Sequence, residues 1–318
     1  MDTEVAPAVE AVAADIAEME IRGAATIADA AAEALATQAK ASDAETADRF
    51  RAEMHAAAGV LYDTRPTAVS LPNALRFVFQ GMDGTTVETL RQSAVDAAER
   101  FQSQLDRAQD DLGEIGANRL RDGDTVMTHC HSTDALACVE AALDQGKDLS
   151  AVVKETRPRN QGHITAEQLR EWDVPVTLIV DSAARRYLDE VDHVLVGADA
   201  VAADGSVVNK IGTSGLAVSA RERGVPIMTA AQTIKLHPGT MTGHTVEIEM
   251  RDEDEVVDPG EREAIGEITV ENPAFDVTPP RYMDAIVTER GQFPPESIVT
   301  LMRELFGETS ARPWEDPV

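Results

Sequence analysis

The stretch of sequence that decides the fold is HVLVGADAVAADGSVVNKIGT, residues 193–213. It opens with HVLV, a short β-branched run followed by turn residues, which is typical of an interior strand of a parallel sheet. Asp199 follows at the carboxyl end of that strand, the edge where open α/β sheets bind ligands. An Asp-Gly pair between AVAA and SVVN predicts a hairpin, which would carry Asn209 and Lys210 back beside Asp199.

An anion-binding loop is predicted where this stretch ends. The residues KIGTSG, 210–215, precede a predicted helix, and the free amides at a helix N-terminus favour negative charge. Lys210 and the amides of residues 212–214 are therefore expected to form an anion cradle.

The rest of the chain divides into two kinds of sequence. From Ala8 to Ala117 it is rich in alanine, with apolar residues at helical spacing. From about Arg121, β-rich apolar runs alternate with helical segments: DTVMTHC, LSAVVKET, VPVTLIVDS, HVLVGAD and VPIMTAAQ. This alternation predicts a parallel sheet. We therefore predict an α/β protein with a helical N-terminal domain over residues 1–118 and a Rossmann-like parallel-sheet domain over residues 119–318.

Polar side chains follow each of the five predicted strands. In chain order they are Cys130, Thr156 with Arg157, Asp181 with Ser182, Asp199, and Gln232. Because the carboxyl ends of parallel strands meet at one edge of a sheet, we expect these side chains to collect there.

The chain is strongly acidic. Its formal net charge is −29, acidic residues are spread along its length, and lysine occurs only at positions 40, 147, 154, 210 and 235. Such a surface suits a protein that stays hydrated in concentrated salt, so a halophilic source is predicted. The same charge argues against nucleic acid and anionic membrane as general partners. The acidic segment at 251–263 is interpreted as a solvated loop.

The two cysteines, Cys130 and Cys138, have neither metal-type nor redox-type spacing, so neither a disulfide framework nor a metal site is predicted. The histidines beside Cys130 do not change this, because adjacent side chains diverge and no carboxylate has ligand spacing. The acidic N-terminus lacks a signal pattern and no apolar run is long enough to span a membrane, which favours a cytoplasmic location.

Cys130 has two interpretations. Ser132, Thr133 or Asp134 can cap the helix that follows it, and the amide dipoles of that helix would favour a thiolate that accepts a proton. Alternatively, the thiol is inert packing, which is what we expect of Cys138.

Four arginines stand where a phosphate could be bound. Arg157 and Arg159 follow a strand in ETRPRNQG, residues 155–162, and two guanidinium groups there suit bidentate phosphate binding. The alternative is a pair of solvated arginines, or partners for acidic side chains. Arg22 and Arg65 lie where predicted helices are interrupted. They either belong to the signals that end or begin a helix, or are further phosphate ligands.

The motifs, taken in order, resemble those of a known family. They are RGAA at 22–25, RPTAVSL at 65–71, THC at 128–130, ETRPRNQG at 155–162, VTLIVDSA at 176–183, GADAVAADGSVVNKIGT at 197–213 and NPAFDVTPP at 272–280. Together they resemble the family that unites archaeal ribose 1,5-bisphosphate isomerase, methylthioribose 1-phosphate isomerase and the regulatory subunits of translation initiation factor 2B. The resemblance covers nearly the whole chain.

The resemblance implies an isomerase that converts α-D-ribose 1,5-bisphosphate to D-ribulose 1,5-bisphosphate. The two isomerases of the family share a catalytic cysteine and aspartate, which by motif fall on Cys130 and Asp199, whereas the regulatory subunits generally lack the pair. AAQTIKLHP at 230–238 is similar to the ribose 1,5-bisphosphate group. His131 departs from the family, which usually has asparagine there. The resemblance also implies substrate binding by Arg22, Gly23, Ala24, Arg65, Arg157, Gln161, Asn209, Lys210 and Lys235.

The implied chemistry needs no metal or organic cofactor. A sugar whose C1 hydroxyl carries phosphate cannot open to a free aldehyde, so an acid must protonate the ring oxygen while a base removes the C2 proton. Asp199, protonated in an apolar pocket, suits the acid, and Cys130 as a thiolate suits the base. Two alternatives stay open, a methylthioribose 1-phosphate isomerase and a non-catalytic regulatory subunit of the initiation factor 2B type. The family also implies a homo-oligomer, a dimer or a trimer of dimers.

Overall fold

Two compact units make up the chain. The computed structural model describes residues 4–65, 68–243, 245–307 and 312–315. One unit comprises Met1–Ala108 with Ser310–Val318, and the other comprises Gln109–Thr309. This division falls inside a long helix that ends at Ala117, and a domain boundary after residue 118 stays a prediction.

The first unit is helical. Its helices are α1 (Pro7–Ala17), α2 (Ala24–Ala41), α3 (Ala47–Thr64), α4 (Ser70–Gly81) and the first part of α5 (Val87–Ala117). The buried face of α2 consists mostly of alanine, so neighbouring helices approach its backbone closely, and larger buried side chains such as Phe50 and Leu75 fill the remaining space. Thr46 is the N-cap of α3, where its side chain accepts a hydrogen bond from Arg49 N–H at 3.3 Å.

The second unit contains the parallel sheet that the sequence predicts. Its strands are β1 (Thr125–His129), β2 (Ser150–Lys154), β3 (Val176–Ile179), β4 (His193–Val196), β5 (Ala200–Val201), β6 (Val207–Lys210), β7 (Ile227–Ala230), β8 (Phe275–Thr278), β9 (Ala285–Thr288) and β10 (Gly291–Phe293). The large sheet has the order β10-β9-β7-β4-β1-β2-β3, and only β10 pairs antiparallel in it. The order β3-β2-β1-β4-β7 is that of Rossmann-like folds, so the predicted α/β class is confirmed.

Helices pack against alternate residues of the strands. They are α6 (Thr133–Asp144), α7 (Gln161–Glu171), α8 (Ala184–Tyr187), α9 (Thr213–Arg223) and, beyond the exposed α10 (Pro259–Ile265), which has no buried residue, α11 (Ile298–Phe306). One core joins Leu195 to Leu136 of α6, and the other joins Val194 to Leu216 of α9 and Leu301 of α11. Both faces of the sheet are therefore apolar, which explains the nearly continuous hydrophobic strands. Within the described part of the chain, every helix is too short or too polar to cross a lipid bilayer.

The predicted hairpin forms a second, smaller sheet. β5 and β6 pair antiparallel, with Ala200 opposite Val208, and β8 pairs with the other edge of β6. The turn closes with a hydrogen bond from Gly205 N–H to Ala202 O at 2.9 Å. Gly205 has a φ of +84°, a left-handed conformation that favours glycine. The Asp-Gly signal in the sequence is thereby confirmed.

The chain changes direction across the large sheet between β1 and β4. β2 and β3 lie on one side of β1, and β4 and β7 lie on the other. The loops that leave β1 and β4 therefore diverge and open a crevice, as at the ligand-binding switch point of other α/β sheets. Cys130 and Asp199 lie on these two loops.

The acidic segment at 251–263 is more ordered than a solvated loop. It contains a 3₁₀ turn over Glu253–Glu255 and the start of α10, where Asp258 and Glu261 form a capping box. Most of its acidic side chains face solvent, but Arg251 is largely buried. The interpretation as a loop was wrong, because the local caps stabilise helical turns.

Salt is expected to raise the thermal stability of the protein. With a net charge of −29, the folded chain repels itself, and about 1 M salt confines that repulsion to roughly 3 Å. We expect the Tm to fall by about 5–10 °C, as measured by calorimetry, when KCl is lowered from about 2 M to about 0.1 M. Sucrose at low salt is the control, because it stabilises folded proteins without screening charge. A Tm that does not depend on KCl would contradict the prediction.

Candidate functional site

Five polar residues line the carboxyl edge of the large sheet. Across the sheet they are Gln232, Asp199, Cys130, Thr156 and Asp181, which follow β7, β4, β1, β2 and β3. The parallel pairing of these strands brings all five ends to one edge. The collection of polar residues expected from the sequence is therefore confirmed.

Cys130 and Asp199 lie on two loops that touch each other. Gly197, just after β4, approaches Ser132 so closely that a Cβ on the glycine would stand 2.2 Å from Ser132 Oγ. Ser132 also caps α6 by accepting a hydrogen bond from Ala135 N–H. Cys130 lies two residues before Ser132, and Asp199 lies two residues after Gly197. This contact brings together the loops that carry Cys130 and Asp199, the thiol–carboxylate pair, and the charge of Asp199 acts on the thiol.

Cys130 has a left-handed backbone conformation, with a φ of +70°. Such a conformation is uncommon for a residue other than glycine and occurs often at functional sites. Burial raises the pKa of its thiol to about 11, although Lys210, the His131 N–H and Arg251 lower it. The expectation that the helix N-terminus favours a thiolate is therefore wrong for the unliganded chain. Ser132 caps α6, and Cys130 lies outside the helix.

Asp199 is exposed to the crevice, yet protein surrounds it on most sides. Loss of hydration raises the pKa of its carboxyl group, in the predicted direction, while the cations Lys235, Lys210 and Arg251 oppose that rise. Because solvent reaches the carboxylate, part of its hydration is kept until a ligand displaces the water. The neighbours are charged rather than apolar, so the predicted apolar pocket was wrong.

Lys210 is a buried ammonium group without a carboxylate partner. Its Nζ donates to Ala274 O at 3.1 Å and lies 4.6 Å from the centre of the Phe275 ring. In the described ranges of the chain, no carboxylate forms a salt bridge with it. Burial lowers the pKa of Lys210, and the charge of Arg251 lowers it further. A buried cation with unfilled donors is suited to bind an anion.

Lys235, near Asp199, is held by the fully buried carboxylate of Asp134. Its Nζ lies 2.8 Å from Asp134 Oδ2, in the first turn of α6. Gln232 donates to the same carboxylate from its backbone N–H at 3.2 Å and from Nε2 at 2.9 Å. Asp134 therefore positions Lys235, whose charge is the strongest of those that lower the pKa of Asp199.

The sequence reasoning missed one basic residue of this cluster, Arg251. Its guanidinium lies 5.8 Å from the centre of the Phe275 ring, which Lys210 also contacts. Its Nε pairs with Glu249 at 3.0 Å. The charge of Arg251 lowers the pKa of both members of the thiol–carboxylate pair. The only signal in the sequence is an arginine at the start of an otherwise acidic run.

The predicted anion cradle at the start of α9 exists, but the protein fills it with its own carboxylate. Asp276 of β8 accepts hydrogen bonds from Gly212 N–H at 2.8 Å and from Ser214 N–H at 3.1 Å. Pairing of β8 with β6 places Asp276 there, opposite Asn209. The anion that these amides hold is therefore a side chain of the protein itself. Only tertiary pairing brings Asp276 to a helix that begins far from it in sequence.

The two arginines of the 155–162 loop differ in their surroundings. Arg159 forms a two-point salt bridge with Glu255, with an Nε–Oε2 distance of 2.9 Å, so it is a partner of the acidic segment. Arg157 is exposed, and its backbone N–H donates to Asp181 at 2.7 Å. Phosphate binding by Arg157 stays a prediction.

Two of the substrate-binding residues that the resemblance implies, Gln161 and Asn209, belong to the second unit. Gln161 is the first residue of α7, directly after the loop that follows β2. Asn209 is buried on β6 next to Lys210, and its Nδ2 donates to Thr213 Oγ1 at 3.0 Å. Their contacts with substrate hydroxyls stay predictions.

The remaining predicted binding residues belong to the first unit. Arg22 and Gly23 precede α2, Ala24 begins it, and Arg65 follows α3. Residues 66–67 of the same motif as Arg65 lie outside the described residues. Substrate binding by this group, with phosphate as the ligand of Arg22 and Arg65, stays a prediction.

The thiolate of Cys130 is expected to form only at high pH in the unliganded protein. Because burial raises its pKa from 9.0 to about 11, the rate of alkylation by iodoacetamide should keep rising through pH 9.0, since only the thiolate reacts. Mass spectrometry of the Cys130 peptide measures this rate, with a Cys138→Ala variant as the control for labelling of the other thiol. A rate that levels off below about pH 8 would show that burial is not the dominant influence on the pKa of the Cys130 thiol.

These features define a class of protein. A thiol and a carboxylate lie on contacting loops at the switch point of a Rossmann-like sheet beside buried cations, which is an arrangement suited to acid–base chemistry on an anionic ligand. The chain belongs to the initiation factor 2 subunit family, whose family model matches residues 20–295.

Its relatives include both isomerases and initiation factors. The chain is 74% identical over 317 residues to ribose 1,5-bisphosphate isomerase of Haloferax volcanii. The matched region covers 100% of this chain and 98% of that protein. The crystal structure of translation initiation factor eIF-2B from Pyrococcus horikoshii OT3 is 28% identical, with a TM-score of 0.78 over 92% of this chain and 99% of that one. The 5-methylthioribose 1-phosphate isomerase of the same organism is 32% identical, with a TM-score of 0.73 over 95% and 88%.

Proposed function

We propose that this protein is an isomerase that converts α-D-ribose 1,5-bisphosphate to D-ribulose 1,5-bisphosphate. The observation that carries the proposal is the thiol–carboxylate pair on two contacting loops, beside the buried ammonium group of Lys210, which forms no salt bridge within the described part of the chain. The Haloferax volcanii relative named for this reaction, at 74% identity, supports it.

The proposed reaction uses each member of the pair twice. Asp199, as the acid, protonates the ring oxygen as its bond to C1 breaks, while the Cys130 thiolate removes the C2 proton and a C1–C2 double bond forms. The resulting enol phosphate then takes a proton at C1 from the Cys130 thiol. Its C2 hydroxyl returns a proton to Asp199 and becomes the ketone. Both groups end in their starting states, so the proton balance closes without a further reactant.

A shift of one proton within the pair connects the resting and reactive forms. In the unliganded protein, a pKa of about 11 keeps a proton on Cys130 at neutral pH. The reactive form needs a thiolate and a carboxylic acid, and transfer of that proton to an ionised Asp199 produces it. A substrate that displaces water from Asp199 raises the proton affinity of the carboxylate. Lys210 and Arg251 stabilise the thiolate that is left.

The basic groups around the pair supply a binding surface for phosphate. Lys235 and Arg251 are each held by a carboxylate, whereas Lys210 has free donors, so Lys210 is the group most ready to accept a phosphate oxygen. Arg157 lies exposed after β2, and we propose that it and the arginines of the first unit contribute to the second phosphate.

We further propose that the protein works in the cytoplasm of a halophilic cell as a homo-oligomer, a dimer or a trimer of dimers. Its acidic, lysine-poor composition supports the halophilic setting. Size-exclusion chromatography with light scattering at high salt measures the assembly, and a monomer would contradict it.

One substrate assay tests the function. Protein purified in about 2 M KCl is incubated with α-D-ribose 1,5-bisphosphate, and D-ribulose 1,5-bisphosphate is measured. The matched substrate is 5-methylthioribose 1-phosphate, which replaces the second phosphate with an apolar thioether. We expect a kcat/KM at least about 10²-fold higher for the bisphosphate. The thioether would leave the cations of the second phosphate site without an anion, which disfavours its binding. Faster turnover of the thioether, or no turnover together with a co-purifying initiation factor, would overturn the proposal in favour of one of the two alternatives.

A further inference from the structure

The two histidines that flank Cys130, His129 and His131, have no role in the chemistry proposed above. In the ranges that the structure describes, no group of histidine, cysteine and acidic side chains is arranged to hold a metal ion. Each imidazole instead contacts a buried threonine. His129 Nδ1 lies 3.3 Å from Thr156 Oγ1, and His131 Nδ1 lies 3.1 Å from Thr165 Oγ1. Both threonine hydroxyls also contact the backbone of Cys130.

Thr156 holds the amino side of Cys130. The Cys130 N–H donates to Thr156 Oγ1 at 2.9 Å. His129 Nε2 lies 2.8 Å from Ile211 O and must donate to it. Burial lowers the pKa of His129 to about 4, so the ring is neutral and its Nδ1 is an acceptor. The Thr156 proton is therefore shared between this Nδ1 and Lys154 O, at 3.1 Å, which leaves an oxygen lone pair for the Cys130 N–H.

Thr165 holds the carboxyl side of Cys130. Its hydroxyl donates to Cys130 O at 3.0 Å. Because this uses its only proton, Thr165 accepts from His131, whose Nδ1–H is the donor. Burial lowers the pKa of His131, which favours the neutral ring. The two threonines thus engage both polar groups of the Cys130 backbone, and each histidine contacts one of the two hydroxyls.

We propose that His129, Thr156, His131 and Thr165 form a clamp that holds Cys130 in its left-handed conformation and aims its thiol at the substrate. Strained backbone persists only where the surroundings over-determine it, and the clamp supplies that constraint at Cys130 and at Thr156, whose φ is +64°. The clamp rests on the proposed function, because it assumes that Cys130 is the reacting group. Its members are positioning residues, since they act on Cys130 rather than on the substrate.

The first test replaces the hydroxyl of Thr156. Thr156→Val should lower kcat by about 10- to 100-fold, because misplacing a reacting group costs rate, and should change KM by less than about threefold. Thr156→Ser keeps the oxygen and should restore most of the rate. The matched control is Thr278→Val, since Thr278 is equally buried and its hydroxyl has no partner among the described residues. This control should leave kcat and KM unchanged.

The second test reads the position of the thiol without turnover. At a fixed pH, iodoacetamide should alkylate Cys130 several-fold faster in Thr156→Val and Thr165→Val than in the wild type, because the loosened loop exposes a thiol that is now buried. His131→Ala should behave like them, and His131→Asn, which keeps an N–H donor, should lie closer to wild type. If Thr156→Val fails to fold, Thr165→Val and the His131 pair decide the question.

Two outcomes would overturn the clamp. One is an unchanged kcat and alkylation rate in the folded valine variants. The other is a fall in kcat that serine does not rescue. If the wild type converts no ribose 1,5-bisphosphate, the proposed function fails, and the alkylation comparison still decides whether the clamp positions Cys130.

Discussion

Cys130→Ser is expected to lower kcat for ribose 1,5-bisphosphate by about 10²- to 10⁴-fold, the usual contribution of a general base. The serine hydroxyl occupies nearly the same place as the thiol, but it ionises far less readily, so it cannot take the C2 proton. Steady-state kinetics in high salt measure the loss, and KM should change little because the binding cations are untouched.

The protein supplies a matched control for this substitution. Cys138 lies in the middle of α6, is fully buried, and its Sγ faces the carbonyl oxygens of Leu112 and Asp134. Burial raises the pKa of its thiol to about 12. Cys138→Ser should therefore keep the wild-type kcat. Full activity in Cys130→Ser, or equal losses in both variants, would remove Cys130 from the mechanism.

Asp199→Asn is expected to lower kcat by a similar factor, about 10²- to 10⁴-fold. The amide has nearly the same shape, but it cannot give a proton to the ring oxygen. The substitution should also change the pH profile. In the wild type, activity falls at low pH as the pair takes up its second proton, and the raised pKa of Asp199 moves that limb above 3.8. In the asparagine variant that limb is absent, and any residual rate should rise with pH towards the Cys130 pKa of about 11.

Asp204→Asn is the control for the aspartate. Asp204 lies in the turn of the same hairpin, where its carboxylate accepts hydrogen bonds from Ser206 N–H at 2.9 Å and from Ser206 Oγ at 3.0 Å. Asparagine keeps an acceptor there, so kcat and the pH profile should match the wild type. An unaltered acid limb in Asp199→Asn would show that another group supplies the proton.

The strands and their polar ends could be predicted because the signals are local. Residues on both faces of the sheet are buried, so each strand is a short apolar run whose end is visible in the sequence, as at His193–Val196. The hairpin likewise depends on one Asp-Gly pair. These local features placed Cys130 and Asp199 at one edge, and the family motifs named the pair.

The partners of the basic residues could not be predicted, because long-range pairing decides them. Asp276 reaches the amides of α9 through the pairing of β8 with β6, and Glu255 reaches Arg159 across 96 positions of sequence. From the sequence, the amides of α9 were predicted to bind an anion and Arg159 was a candidate phosphate ligand, and these two carboxylates occupy them. Arg251 enters the site for the same reason.

The sequence by itself determined which residues stand at the ends of the strands, because strand formation depends on neighbours along the chain. Only the tertiary structure decided their state of ionisation. A helix N-terminus near Cys130 suggested a thiolate, yet burial outweighs nearby positive charge and leaves a thiol. Hydration and charge at a site depend on groups that folding brings together from distant parts of the chain.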